Sequence, residues 1–314
     1  MISILIPVYR AEKFIEPCAR SLFEQSYGNI EYIFVDDCSS DNSIKKLQEI
    51  LFLYPQRKPN VKIIRHKGNR GLSAARNTAV LNCRGDFVLH VDSDDYIPVD
   101  AVEKLVTKQQ ETGADIVTGQ AIRLYKDKQY VIERPQFKNH DDFVKDMIIP
   151  SIHHTLWGRL IRRSLYIDNG IQAKEGVNIG EDMQVMVQLA YYAKKVESIW
   201  DIVYYYDCTN ESSYMNQFGM NNLYRLRQDT ASMEVVRDFL TGKSEQFQNL
   251  AEQHLYSYYW RILNKLGKSI SRDEFYYVME RIYRLQPDNR PMGTRQRIKT
   301  SNYFTYILYK LLCN

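Results

Sequence analysis

The sequence predicts an α/β fold, with a mostly parallel sheet flanked by helices and a helical C-terminal region. Two observations predict it. Apolar, β-rich runs alternate with helix-period segments over the first 120 residues, and helical periodicity alone continues from about residue 218. Strand–helix alternation with apolar strands is typical of a parallel sheet that is covered on both faces.

The first five strands and four helices follow one another regularly. Strands are predicted at 2–8, 30–37, 61–66, 86–91 and 114–119, and helices at 11–25, 40–54, 71–83 and 99–113. The second helix shows the helical spacing most clearly, because Ile44, Leu47 and Leu51 fall on one face. Gly113 provides a stop signal for the fourth helix.

The rhythm changes after residue 120. A hairpin is predicted over 121–135, short helices and loops over 140–170, a helix over 180–194 and a strand over 196–207. A boundary near 210–220 divides the chain into an α/β domain, residues 1–215, and a helical region, residues 216–314.

Composition and charge narrow the class of partner. The chain has 314 residues and a net charge of only +4, so no nucleic-acid partner is expected. The five cysteines are scattered without a CxxC pair, which indicates a reducing compartment and no structural zinc. The N-terminus lacks the features of a signal peptide, and no run of about 18 apolar residues exists, so a cytoplasmic location is expected.

Polar residues stand where three predicted strands end. The first strand ends in Pro7, Val8 and Tyr9, and the second ends in Asp36 and Asp37. The fourth is followed by a cluster made of Asp92, Ser93 and Asp94. Ligands bind outside the carboxyl ends of strands in open parallel sheets, so these side chains are expected to converge on one crevice.

The turn after the first strand, "PVYRAEKF", contains no glycine. It therefore matches neither a dinucleotide-binding turn nor a phosphate-binding P-loop. A carboxylate cluster beside a pyrophosphate favours a bridging divalent cation, and oxygen ligands suit Mg²⁺ or Mn²⁺.

The stretches "ISILIPVYR", "YIFVDDCSSDNS", "NRGLSAARNTAV", "GDFVLHVDSDD" and "GED" stand in this order along the chain. In this they resemble the family 2 inverting glycosyltransferases of the GT-A fold, of the bacterial surface-polysaccharide type. The resemblance implies a nucleotide-sugar donor, with UDP expected, and Mn²⁺ or Mg²⁺. It also makes 1–120 the nucleotide-binding half and 121–215 the acceptor-binding half of the catalytic domain.

The resemblance assigns donor-side roles residue by residue. It implies that Pro7 and Tyr9 line the base pocket, and that Asp37, with Asp36 beside it, meets the base and ribose. Further residues that it places near the nucleotide or its metal are Asn69, Arg70, Arg76, Asp92, Ser93 and Asp94. Asp92 and Asp94 match the D-x-D motif, and Asp94 is the better candidate metal ligand. Arg76 has a second interpretation, a structural salt bridge to the acids.

The "GED" motif at 180–182 opens a predicted helix. The resemblance places the catalytic base at Asp182, with Glu181 orienting the acceptor or its loop. The alternative is that both acids only interact favourably with the helix dipole.

Three further features are weaker signals. Trp157 is a candidate platform for an acceptor sugar, or a core residue. His153 and His154 lack further ligands at metal spacing and are expected to be ordinary loop residues. By resemblance, Ser212 and Ser213 belong to a loop that closes over the donor.

The tail combines positive charge with an aromatic helix. Residues 281–314 contain one acid, Asp288, and seven basic residues, namely Arg281, Arg284, Arg290, Arg295, Arg297, Lys299 and Lys310. Such a segment is typical of a helix at the inner face of an anionic membrane, and docking on the catalytic domain is the alternative.

The sequence therefore predicts a metal-dependent hexosyltransferase that acts on a glycan or lipid-linked acceptor, with a homo-oligomer left open. Two alternatives remain, a sugar-1-phosphate nucleotidyltransferase and a non-catalytic nucleotide-binding membrane adaptor. The sugar, the acceptor, the linkage and the oligomeric state are not predicted.

Overall fold

The computed structural model of the chain describes residues 1–134, 137, 139–210, 223–266, 270–286, 292, 293, 296, 299, 300 and 302–312. Its strands are β1 (Ile2–Val8), β2 (Ile30–Asp36), β3 (Val61–Arg65), β4 (Phe87–His90), β5 (Ile116–Leu124), β6 (Gln129–Ile132), β7 (Arg159–Arg162) and β8 (Val196–Asp207). Its helices are α1 (Ile15–Phe23), α2 (Ser43–Phe52), α3 (Leu72–Asn82), α4 (Ala101–Thr112), α5 (His140–Ile148), α6 (Arg163–Asp168), α7 (Glu181–Tyr192), α8 (Leu223–Leu240), α9 (Glu245–Lys265), α10 (Arg272–Arg284) and α11 (Tyr303–Leu312).

The strands form one sheet in the order β3-β2-β1-β4-β7-β5-β6, and β8 pairs with β5. Strand β1 runs parallel to both β2 and β4, β2 runs parallel to β3, and β5 runs parallel to β8. The β4–β7, β5–β7 and β5–β6 pairs are antiparallel. The predicted α/β class and mostly parallel sheet are confirmed, and so is the hairpin formed by β5 and β6.

Successive residues of β1 supply both faces of the sheet, as the two-residue period of a strand requires. Ile4 and Ile6 pack in a cluster with Ile15 of α1, whereas Leu5 packs in a second cluster with Ala75 of α3. Burial on both faces explains why these strands read as continuous apolar runs.

The second cluster continues from α3 through α7 into the C-terminal helices, where it includes Met233, Tyr259 and Phe275. A polar contact supports the same junction, because Ser232 of α8 donates from Oγ to the Ile179 carbonyl at 2.8 Å. Helix α8 therefore helps to fix the backbone just before α7. The predicted boundary falls within 211–222, outside the described residues, so the two-domain division stays a prediction.

Strand β7 corrects the prediction that 140–170 contains only short helices and loops. Only Leu160 and Ile161 are apolar in this strand, and arginines flank them. Arg159 is nevertheless buried, because its guanidinium donates to the carbonyls of His153 and Thr155. This tertiary contact has no local sequence signal.

No helix among the described residues is long and apolar enough to cross a membrane.

Gly85 sets the approach of β4 to β1. A Cβ atom there would lie 2.4 Å from Oγ and 2.7 Å from the backbone nitrogen of Ser3. We expect Gly85→Ala to lower the free energy of unfolding by about 1–3 kcal/mol, because the strands must move apart. Urea denaturation measures this, with Gly28→Ala as the control, since nothing lies within 4 Å of a Cβ there. Equal stability of the two variants would contradict the expectation.

Candidate functional site

The carboxyl ends of β2, β1 and β4 lie side by side, and they form the base of the candidate site. Asp36 is paired in register with Val8, and the Asp37 amide donates to the Val8 carbonyl at 2.9 Å. On the other side, the Val91 amide donates to the Leu5 carbonyl at 3.1 Å. Strand pairing thus brings the polar residues after these three strands to one edge of the sheet.

Arg76 of α3 joins two acidic segments that are distant in sequence. Its Nη2 lies 3.0 Å from Oδ1 of Asp92 and 3.5 Å from Oδ1 of Asp182, and its Nε lies 3.4 Å from Oε1 of Glu181. Only 4% of the arginine side chain is exposed. We call these four residues the arginine–acid cluster. The salt-bridge interpretation of Arg76 therefore matches its position.

Burial and mutual charge shape the titration of this cluster. Burial alone lowers the pKa of Arg76, but Asp92, Asp182 and Glu181 outweigh it and the pKa lies above its ordinary value. Burial raises the pKa of Glu181, the charge of Asp182 raises it further, and Arg76 only partly offsets this. The pKa of Asp92 is also raised, by burial first, with Arg76 opposing the shift. The guanidinium thus makes ionisation of closely placed buried acids less costly.

Glu181 and Asp182 begin α7, directly after Gly180, whose φ of 77° is left-handed. Glu181 is buried and directs its carboxylate to Arg76, whereas 14% of the Asp182 side chain is exposed. Of the two acids, Asp182 has the more exposed side chain, 14% against 7% for Glu181.

Asp94 and Asp95 have different surroundings. Asp94 accepts from Nδ2 of Asn210 at 2.9 Å, and burial, followed by the charge of Asp92, raises its pKa to about 6. Asp95 accepts from the Tyr204 hydroxyl at 2.6 Å and from the Asp207 amide at 2.8 Å. Through these two hydrogen bonds, Asp95 links the loop after β4 to β8.

The carboxylate oxygens of Asp94 are ligands of the kind that a hard divalent cation prefers. Among the described residues, no lysine, arginine or histidine lies within 4 Å of its carboxylate, although the residue is only partly exposed and close to Asp92. A bound cation would relieve this repulsion. The described residues contain no group of three or more His, Cys, Asp or Glu side chains able to hold a metal. A cation held by Asp94 and Asp92 would take its remaining ligands from substrate phosphates and water.

Asp37 organises the loop between β3 and α3. Its Oδ1 accepts from the Arg70 amide at 2.8 Å and contacts Nδ1 of His66 at 2.7 Å, and its Oδ2 accepts from the Gly71 amide at 2.7 Å. Asn69 and Arg70 are exposed on this loop. Both carboxylate oxygens of Asp37 therefore have protein partners.

The same loop is attached to the segment before α7. Gly71 has a φ of +87°, and a Cβ there would lie 2.4 Å from the Asn178 side chain. Asn178 in turn accepts from the Ser73 amide at 3.1 Å through Oδ1. This junction links the loop organised by Asp37 to the acids at 181 and 182.

The remaining donor-side residues lie at the ends of β1 and β2. Asp36 is buried, accepts from the Ser39 amide at 2.8 Å and lies 3.2 Å from Nε of Arg65. Pro7 is buried within β1, whereas the ring of Tyr9 is exposed. The Tyr9 ring lies 5.2 Å from the Arg10 guanidinium, and Ser93 is buried within the loop after β4.

Trp157 is enclosed by protein. Its ring stacks on Tyr204 at 4.6 Å and on Tyr206 at 5.6 Å, with the Arg134 guanidinium 4.9 Å from its centroid. Only 4% of the residue is exposed, which favours the core interpretation over a sugar platform. His153 and His154 belong to a short 3₁₀ helix rather than a loop, and Nδ1 of His153 lies 3.1 Å from the Asp146 carboxylate. Ser212 and Ser213 lie outside the described residues.

The family model for glycosyl transferase family 2 matches residues 3–169, slightly more than half of the chain. The chain belongs to glycosyl transferase family 2. A curated relative, the uncharacterized glycosyltransferase EpsJ of Bacillus subtilis, is 28% identical over 214 residues, which cover 66% of this chain and 60% of EpsJ. A poly(ribitol-phosphate) beta-glucosyltransferase of Bacillus spizizenii is 34% identical over 220 residues, covering 68% of this chain and 33% of that protein. The chain thus spans one to two thirds of the length of these relatives.

Solved structures share the fold at low identity. Staphylococcus aureus TarS 1–349 in complex with UDP-GlcNAc superposes with a TM-score of 0.59 at 19% identity, over 90% of this chain and 88% of that one. Mannosyltransferase PcManGT of Pyrobaculum calidifontis, in complex with GDP-Man and Mn²⁺, has a TM-score of 0.56 at 15% identity, over 100% and 87%. These neighbours confirm the predicted GT-A-like fold.

Asp94→Asn tests the surroundings of the acid cluster. The raised pKa of Asp94 means that its ionisation, from about pH 4 to pH 6, destabilises the metal-free protein. We therefore expect Asp94→Asn to raise the free energy of unfolding by about 1–2 kcal/mol at pH 7.5 and to change little at pH 4. Urea denaturation in EDTA measures this, with the exposed Asp127→Asn as the control.

Addition of manganese and UDP should change the thermal stability of wild type and of Asp94→Asn differently. Wild type is expected to gain thermal stability with Mn²⁺ and UDP, and Asp94→Asn is expected not to gain it. A metal-free variant that is less stable than wild type at pH 7.5 would contradict this account of Asp94.

Proposed function

We propose that the chain is a metal-dependent, inverting glycosyltransferase that moves a sugar from a UDP-sugar to a hydroxyl of a glycan or lipid-linked acceptor. The observation that carries the proposal is the arginine–acid cluster, which holds the D-x-D acid Asp92 and the accessible acid Asp182 on one guanidinium. In glycosyl transfer, the residues that bind the donor diphosphate and the base that activates the acceptor must lie within a few ångströms of the same reacting carbon. The cluster brings one candidate of each kind, Asp92 and Asp182, to the same arginine. Family membership supports the reaction class.

The proposed step is a single displacement. Asp182 accepts the proton of the acceptor hydroxyl, and that oxygen forms a bond to the anomeric carbon of the donor sugar. The bond from this carbon to the diphosphate oxygen breaks from the opposite side, and its electron pair leaves with the nucleoside diphosphate. The anomeric configuration is therefore inverted.

Each remaining residue has a role that its surroundings support. Asp94, with Asp92 beside it, would hold Mn²⁺ or Mg²⁺, which supplies positive charge to the departing diphosphate when bound. The exposed ring of Tyr9 would stack on the nucleotide base of the donor. Asp37 holds the loop that carries Asn69 and Arg70, which would contact the donor. Buried Glu181 is assigned to holding Arg76 rather than to touching the acceptor.

The relatives suggest an acceptor and a setting. Two of them, from Bacillus spizizenii and Staphylococcus aureus, are named as transferases acting on poly(ribitol-phosphate). We accordingly assign this chain to bacterial surface-polysaccharide assembly, with an acceptor that is a polymer or a lipid-linked precursor. We propose that the transfer takes place in the cytoplasm, at the inner face of the membrane.

Asp182→Asn tests the base. We expect a loss of transfer of about 10²–10⁴-fold, because no group remains to take the hydroxyl proton. Donor binding should persist, as a thermal-shift series with UDP-, GDP- and dTDP-sugars in Mn²⁺ would show. The matched control is Asp168→Asn, which changes an exposed acid at the end of α6.

The outcomes separate the assignments. Transfer by Asp182→Asn within about threefold of wild type would refute the base, and retention of the donor's anomeric configuration in the product would refute the single displacement. Binding of nucleotide without transfer by the wild type would instead favour the non-catalytic adaptor. No stabilisation by any nucleotide sugar would overturn the proposed donor class.

A further inference from the structure

Helix α11 is anchored to the protein by one face. The Tyr303 hydroxyl donates to the Ile270 carbonyl at 2.8 Å. Tyr306 is completely buried, and its hydroxyl lies 2.8 Å from the Leu263 carbonyl and 2.6 Å from the Leu266 carbonyl. Packing against α9 and α10 therefore fixes the orientation of α11, and these contacts lie within the helical region rather than on the catalytic domain.

A second face of the same helix points to solvent. Phe304 is 79% exposed and Leu308 is 48% exposed. Residues four apart lie above one another on a helix, so these two side chains form one apolar stripe. Tyr303 and Tyr306 fix the direction of this stripe, because both project toward the underlying helices.

Basic side chains lie around this helix. Lys265 precedes Leu266, one of the two carbonyl partners of Tyr306, and Lys265 is exposed. Lys299 stands just before α11 and donates to Asn264 at 2.7 Å. Glu274, an acid close to Tyr306, is ion-paired with Arg227 and so does not cancel this charge.

We propose that the Phe304–Leu308 stripe, with the basic side chains around it, docks the protein on the surface of an anionic lipid bilayer. Charge complementarity selects this occupant. Residues 281–314 carry seven basic residues and one acid. A second copy of this positively charged segment would repel the first, whereas anionic headgroups attract it. The apolar side chains enter the headgroup region while Tyr303 and Tyr306 stay on the protein side.

Docking of this kind would hold the proposed transferase at the membrane surface, where a lipid-linked acceptor resides. The docking itself does not depend on transfer. Its failure is therefore distinguishable from failure of the proposed function, since donor binding and transfer to a soluble acceptor are measured without lipid.

The test is sedimentation of the full chain with vesicles of phosphatidylglycerol and phosphatidylcholine, compared with phosphatidylcholine alone. Wild type is expected to sediment only with the anionic vesicles. Phe304→Ser/Leu308→Ser should weaken binding by at least about tenfold. Lys265→Gln/Lys299→Gln should weaken it by about tenfold or more, since each basic residue near the surface contributes about fivefold.

Matched controls come from the same chain. Phe52→Ser/Leu53→Ser removes an equally exposed apolar pair at the end of α2 and should bind like wild type. Lys45→Gln/Lys194→Gln removes two exposed charges from other helices or loops and should also bind like wild type. Circular dichroism and the thermal midpoint verify that each variant is folded.

Two results would overturn the inference. One is vesicle binding that is absent in wild type or unchanged in both tail variants. The other is a wild-type dimer, seen by sedimentation velocity, that Phe304→Ser/Leu308→Ser converts to monomer without a change in lipid binding. That result would assign the stripe to self-association.

Discussion

The guanidinium of Arg76 is the contact on which the candidate site depends. It is buried between Asp92, at the end of β4, and the two acids that begin α7. A buried arginine without partners, or three close carboxylates without a cation, would each be strongly destabilising. The two segments therefore stabilise each other only when both are in place, which couples the proposed donor side of the site to the proposed base.

The surrounding structure repeats this coupling with hydrogen bonds between side chains and the backbone. Asp37 holds the loop that leads to α3, and Asn178 joins the first turn of α3 to the segment before α7. Ser232 then holds that segment from the C-terminal helices. The helical region thus contributes to the position of Asp182 although it supplies no acid to the arginine–acid cluster. A change in α8 can reach the site through this short path.

The features of the fold that depend on local sequence pattern were predicted well. Apolar runs and helical spacing predicted the strands and helices, and parallel pairing brought the acids after β4 to the edge shared with β1. What the sequence left open or missed depends on contacts between distant residues. Arg76 pairs with acids 105 and 106 positions away, and the Tyr204 hydroxyl donates to Asp95. Strand β7 was missed because it begins with Arg159, an arginine that is buried through contacts with backbone carbonyls. None of these contacts has a local signature, because each is created only when separate elements pack.

The most direct test of this account is the stability of Arg76→Met beside Arg76→Met/Asp92→Asn/Asp182→Asn, measured by urea denaturation at pH 7.5. The single variant is expected to lose about 3–5 kcal/mol, because the acids lose their cation. The triple variant should recover more than half of that loss, since Glu181 is then the one acid of the cluster that can still ionise. A single loss below about 1 kcal/mol, or a triple variant that is less stable than the single one, would contradict a site held together by Arg76.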